Sequence, residues 1–235
     1  VLGVHHSFKQ IDKYKSEVTL DMKAYSEQAL TMYDAVPNAP PLKPNVHYPW
    51  YEPSQTEIAE LSSKPGVFQH CAASLLMKLL YMGRMVRVDM CYSINAMSRH
   101  VTRWNALCDK QMHHLFSYLL FTKGTSLHAF IDQRDVDSIE LHAYPNADVA
   151  GSYDSTKATS GGFIHIHGEN TFFPLDWFSK RQGATSHSTT EAELIAASKI
   201  LRESLIPLMA LWSIMLDRPI KGKVWEDNMS TITVI

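Results

Sequence analysis

The chain has 235 residues, 45% of them hydrophobic, and a formal net charge of -2, enough to bury one large core or two smaller ones, of which two suits the pattern better. Cys71, Cys91 and Cys108 are odd in number and lack any C-x-x-C spacing, which argues against a disulfide framework and a structural zinc site and for a reducing intracellular compartment, cytoplasm or nucleus. No apolar run reaches the ~18 residues that a membrane span needs, and no signal-peptide pattern opens the chain.

Residues 1–35 read as a short hairpin and a helix, with a strand at Val18-Thr19-Leu20 and a helical stretch from Met22 to Tyr33. Seven of the eleven prolines lie between Pro37 and Pro65, which predicts an extended, non-helical linker over 36–66, with Tyr48, Trp50 and Tyr51 as candidate anchors. From Val67 to Lys123 the apolar period is helical. It runs through Leu75, Leu76, Leu79, Leu80 and Met82, then Ile94 and Met97, then Trp104 to Leu120, closed by Lys123-Gly124-Thr125.

After Asp137 the period falls to two, with strands expected at Ser138–Tyr144, Gly162–His167 and Phe172–Ser179. A long helix follows. Thr190 stands as its N-cap with Glu193 three residues on, a capping-box spacing, and Pro207 should kink or end it. A last strand over Lys223–Glu226 meets Asp227-Asn228, where another helix should begin. Charge divides along the same line: residues 1–130 carry 13 Lys+Arg against 10 Asp+Glu, and residues 131–235 carry 9 against 14. A helical part able to touch phosphates and an acidic part able to hold divalent cations fit that split, as does plain solvated charge.

Metal-assisted phosphodiester hydrolysis needs several carboxylates converging on one place, so that hard cations can activate water and stabilise the leaving oxygen. Strand alternation puts Asn146 and Asp148 on one face, the helix start places Glu193, and Asp227 ends a strand that can neighbour the first. Each also has a local reading, with Glu193 as capping partner, Asp227 as N-cap of the helix from Met229, and Asp148 as a turn residue. His165 and His167 share a strand face. Without a third ligand at fixed spacing they read as exposed sheet-face histidines. Lys180 and Arg181 are candidate phosphate contacts or surface charge.

The block Thr185 to Ser198 (Thr-Ser-His-Ser-Thr-Thr-Glu-Ala-Glu-Leu-Ile-Ala-Ala-Ser), taken with Asn146-Ala147-Asp148-Val149-Ala150-Gly151, Thr159-Ser160-Gly161-Gly162 and Glu226-Asp227-Asn228, resembles the ribonuclease H region of copia-type retrotransposon polyproteins. The likeness extends to Lys78 through Met90, to Trp104 and to Tyr118 through Thr125. It also covers Val1-Leu2-Gly3-Val4 and Val18 through Tyr25, which are similar to the end of the polymerase palm. Where that family commonly has Arg-Pro-Asp, this chain has Arg87-Val88-Asp89.

The resemblance implies a ribonuclease H-like α/β fold, a mixed sheet with flanking helices, preceded by a small helical bundle. The implied domains are a palm remnant at 1–35, a proline-rich linker at 36–66, a thumb- or connection-like bundle at 67–130, and an incomplete, C-terminally truncated ribonuclease H-like domain at 131–235. It implies that Asn146, Glu193 and Asp227 occupy the first three positions of a metal-binding quartet for Mg²⁺ or Mn²⁺, acting on RNA/DNA hybrids. The family has Asp where this chain has Asn146, which supplies no charge. Asp148 could substitute only if the metals moved by ~6.5–7 Å, two residues of strand rise. The fourth acid would fall beyond Ile235, and the chain ends read as those of a piece of something longer or of a processed product. Impaired cleavage is therefore expected, and the alternative is a non-catalytic scaffold that binds protein partners in a larger assembly.

Overall fold

The computed structural model describes residues 3–149 and 156–234; Val1, Leu2, Ala150, Gly151 and Ile235, which belong to segments read above, lie outside the described residues. Contacts divide the chain into two units, residues 3–6 with 20–127 and residues 7–19 with 128–234. No helix of the described residues is long and apolar enough to cross a membrane.

In the first unit, helix α1 (Lys23–Asp34) buries Ala29, Leu30 and Tyr33 at three- and four-residue steps. Tyr33 lies at the centre of this core, its ring 5.1 Å from Phe68 and 4.8 Å from Phe116, while its hydroxyl bonds His113 Nδ1 at 2.8 Å. The proline-rich stretch departs from expectation, because helix α2 (Gln55–Leu61) forms inside it. The window from Ser54 to Lys64 has no proline, and Ser54 and Glu57 make a reciprocal capping box that satisfies the first free N–H groups. Trp50 and Tyr51 do anchor the segment, through Tyr51 Oη donating to Glu57 at 2.6 Å and Trp50 meeting Tyr92 edge-on at 5.3 Å. The Tyr48 ring does not; it is exposed, and only the Tyr48 carbonyl is engaged, by His114 at 2.8 Å.

Helices α3 (Ala72–Met85), α4 (Cys91–Ser98) and α5 (Ala106–Phe121) follow the apolar period read from the sequence. Leu75, Leu76, Leu79, Met82, Ile94, Met97, Cys108, Met112, Leu115 and Phe116 join one core. Asn105 caps α5 by accepting from Cys108 N at 3.0 Å. Between α3 and α4 the Arg87 side chain is 2% exposed and donates to Asp89 at 2.7 and 3.0 Å and to Thr122 at 2.6 and 3.2 Å, and Tyr118 Oη donates to the same Asp89 at 2.7 Å. The charges of Arg87-Val88-Asp89 thus tie the α3–α4 turn to the end of α5.

Seven strands of the described residues form one mixed, mostly antiparallel sheet in the order β1-β2-β3-β6-β5-β4-β7: β1 (His5–Gln10), β2 (Lys15–Asp21), β3 (Leu127–Asp132), β4 (Glu140–Asp148), β5 (Thr159–His167), β6 (Phe172–Arg181) and β7 (Gly222–Val224). β7 is paired parallel to β4, whereas β4–β5, β5–β6 and β6–β3 are antiparallel. With its flanking helices this is the α/β arrangement expected of a ribonuclease H-like fold. β3 was not anticipated, since only Ala129 and Asp132 of its six residues are buried and no clean alternation marks it.

One face of the sheet packs under helix α6 (Thr189–Ile200), with Leu141, Ala143, Ile164 and Ile166 meeting Ile200 and Leu205. Gly162 lies beneath that helix; a Cβ there would stand 2.4 Å from the Phe178 ring and 3.0 Å from Ile200, so glycine sets how closely α6 approaches. Pro207 does not end the helix. A π-helical turn, Leu201–Leu205, comes first, and helix α7 (Ile206–Met215) takes the proline into its opening turn, where a missing N–H costs least.

Candidate metal centre

Helix α6 opens two residues earlier than the Thr190 spacing predicts. Ser188 is the N-cap, its Oγ accepting from Glu191 N at 3.1 Å, and the Glu191 carboxylate accepts from His187 N at 2.7 Å. That replaces the expected Thr190–Glu193 capping box and releases the Glu193 side chain from local work. Glu193 is 6% exposed and its Oε2 has no hydrogen-bond partner among the described residues.

The parallel pairing of β7 with β4, Leu141 opposite Gly222 and Ala143 opposite Val224, continues in the Trp225 N–H bond to Ala143 O at 2.8 Å and delivers Glu226 and Asp227 beside β4. Asn228, rather than Asp227, caps helix α8 (Met229–Val234), accepting from Thr231 N at 2.9 Å. Asp227 is therefore also released from its local reading. One carboxylate oxygen from each of Glu193, Glu226 and Asp227 lies within 4.8 Å of the others.

Burial pushes the Glu193 carboxyl up to about 7, and the neighbouring Glu226 and then Asp227 push it the same way, against a hydrogen bond from the Ala147 backbone. Three carboxylates held this close, with Oε2 of both Glu193 and Glu226 buried and unpartnered, are a donor set suited to a hard divalent cation. The charge of such an ion would relieve both the repulsion and the unmet hydrogen-bonding capacity.

Asn146 and Asp148 lie on β4 opposite Gly161 and Thr159, and both are exposed. Alternation turns them to the side of His142 and Tyr144, whereas Pro145 and Gly162 share the face beneath α6. The Ala147 bond to Glu193 sets the acidic group against this stretch of strand, but Asp148 is not among the three converging carboxylates. Glu226 is, and it was not read as a ligand; strand alternation would have turned it away from Asp227, but β7 ends at Val224 and alternation no longer applies. Lys180 and Arg181 pair with Ser160 and Thr159 on β5, so these cations sit at the same end of the sheet as Asn146–Asp148.

His165 departs from the exposed reading, for it is buried at 4% exposure while His167 is open, and His142 of β4 stands beside both.

No family model matches the chain, and no solved structure matches it. It is 31% identical over 112 residues to the retrovirus-related Pol polyprotein from transposon RE2 of Arabidopsis thaliana, covering 46% of this chain and 7% of that protein. The Pol polyprotein from transposon RE1 of the same plant is 27% identical over 135 residues, 57% of this chain and 9% of that protein. The chain is a homologue of copia-type retrotransposon Pol polyproteins. An uncharacterized mitochondrial protein of Arabidopsis thaliana shares 26% identity over 197 residues, 82% of this retroelement-derived chain and 74% of that protein. The chain spans less than a tenth of the length of either Pol polyprotein.

Proposed function

We propose that the second unit of this retroelement-derived chain is a ribonuclease H-type module that holds Mg²⁺ or Mn²⁺ and engages RNA/DNA hybrids, with cleavage impaired at Asn146. The convergence of Glu193, Glu226 and Asp227, with buried oxygens left unpartnered, carries this reading. Glu193 and Asp227 would hold the cation, and Glu226 adds a carboxylate beside them. When bound, such ions polarise water for attack on phosphorus and stabilise the departing ribose oxygen.

The chain's own groups supply the rest. The Ala147 N–H fixes the Glu193 carboxylate, the β7–β4 pairing fixes Asp227, and Lys180 and Arg181 offer cations to the phosphate backbone. Asn146 presents one neutral carbonyl oxygen where the family resemblance places a charged one; alternation turns it from the α6 face, so a carboxylate there would add charge from the strand end beside the Ala147 that holds Glu193.

The test is cleavage of a labelled RNA/DNA hybrid with Mg²⁺ and with Mn²⁺. The original chain is expected to cut weakly or not at all. Asn146→Asp is expected to raise the rate on the order of a hundredfold, the scale of one preorganised electrostatic contact, and adding Glu193→Gln to it should abolish the gain. Failure of Asn146→Asp to cut, together with failure to bind the hybrid, would sink the reading. A second reading, a non-catalytic subunit that binds protein partners, is favoured by the exposed Ile206, Leu211, Ile214 and Met215 of α7.

A further inference from the structure

The face of the sheet turned away from α6 carries a cluster of imidazoles that the acidic centre does not use. Strand register sets His142 of β4 directly opposite His165 of β5, and the two-residue period of β5 brings His167 to the same side. One ring nitrogen from each of the three lies within 4.8 Å of the others. Tetrahedral zinc–imidazole bonds place ligand nitrogens ~3.3 Å apart, so modest ring rotations would close the set.

The surrounding hydrogen bonds are of the kind that orient metal-binding histidines. His142 Nε2 faces Glu140 Oε2 at 3.3 Å, and Lys223 Nζ holds that same carboxylate at 2.6 Å. His165 Nδ1 faces the Ile166 carbonyl at 3.0 Å, which makes Nδ1 the donor and leaves the Nε2 lone pair, 3.4 Å from Tyr144 Oη. A carboxylate or carbonyl on one imidazole nitrogen fixes the tautomer and makes the other nitrogen a better ligand.

We propose that His142, His165 and His167 bind one divalent transition-metal ion of the zinc class on this face, at a site distinct from Glu193, Glu226 and Asp227. Three imidazoles favour a borderline-soft ion over Mg²⁺. Three protein ligands also leave a coordination position open, on the side where His167 meets solvent.

The competing account is aromatic packing alone, since the His142 and His167 rings stack at 4.1 Å. Titration of the full chain with Co²⁺, followed by its visible absorption and by Zn²⁺ competition, separates the two. One equivalent should bind with the intense bands of a tetrahedral ion and be displaced by Zn²⁺. The chain has 12 histidines, so stoichiometry alone is not enough. His167→Ala, at an exposed position that should not disturb folding, is expected to weaken binding about tenfold or more, and His142→Gln should do the same. Glu193→Gln should leave the bands unchanged. Absence of the bands, their persistence in the His142→Gln/His167→Ala pair, or their loss in Glu193→Gln would each overturn the proposal. None of these outcomes bears on hybrid cleavage, which depends on the acidic centre.

Discussion

Asp89→Ala is expected to destabilise the helical unit by about 3 kcal/mol, the lower end of what removal of one partner from a buried ion pair costs. The Arg87 side chain is 2% exposed, and loss of Asp89 would leave its guanidinium without a carboxylate, with only Thr122 and the Tyr118 ring beside it, while freeing the Tyr118 hydroxyl. The lower end applies because the Asp89 side chain is 31% exposed, so water can enter and take over part of its role. Arg87→Met combined with Asp89→Leu should recover most of the loss, because a buried ion pair exchanged for apolar groups is often neutral. Urea unfolding would give the magnitude, and hydrogen exchange should localise the change to α3, α4 and α5. A single mutant as stable as the original chain would show that the pair contributes nothing.

The second large effect concerns pH in the absence of metal. Glu193 has its carboxyl raised from 4.5 to about 7 in the folded chain, so the folded state holds a proton that the unfolded state releases. Stability from that proton is fully present below pH 4.5 and is lost as pH rises through 7, a fall of about 3 kcal/mol at one pKa unit per ~1.4 kcal/mol. Thermal melting of the metal-free chain should therefore drop between pH 5 and pH 8. Glu193→Gln, a neutral isostere, should remove that dependence and melt higher than the original at pH 8. Adding Mg²⁺ or Mn²⁺ at pH 8 should restore the original chain and leave the variant unchanged. A flat profile without metal would mean that Glu193 is not held in a repulsive, dehydrated place.

Local pattern made much of this architecture legible. The period through Leu75, Leu79 and Met82 and that through Cys108, Met112 and Leu115 each set an apolar stripe that the core then uses. Legibility failed where several residues satisfy the same local rule. Ser188, Thr189 and Thr190 are all competent caps, and choosing Thr190 would have spent Glu193 on the helix end. In the folded chain Ser188 takes the cap and Glu193 is left for the acidic centre. His142 was missed as a partner of His165 and His167 for a different reason, because strand register joins residues 23 positions apart and has no local signature. The ligand role of Glu226 depended on where β7 stops, and a three-residue strand has bounds too short for alternation to fix.

The π-helical turn at Leu201–Leu205 makes the rod from α6 to α7 tolerant of one surplus residue. Each α-helical residue advances the chain by ~100° about the axis, and a π turn accommodates one residue more than an α turn does. An extra residue in a plain α-helix would swing every side chain beyond it by roughly that angle; the wider turn absorbs it locally and keeps the phase of α7. Leu208, Met209 and Trp212 therefore face the sheet core while Ile214 stays exposed. The turn thus works as a phase buffer, and deleting one residue there, with relaxation to α geometry, would leave the same side of the last long helix to the sheet.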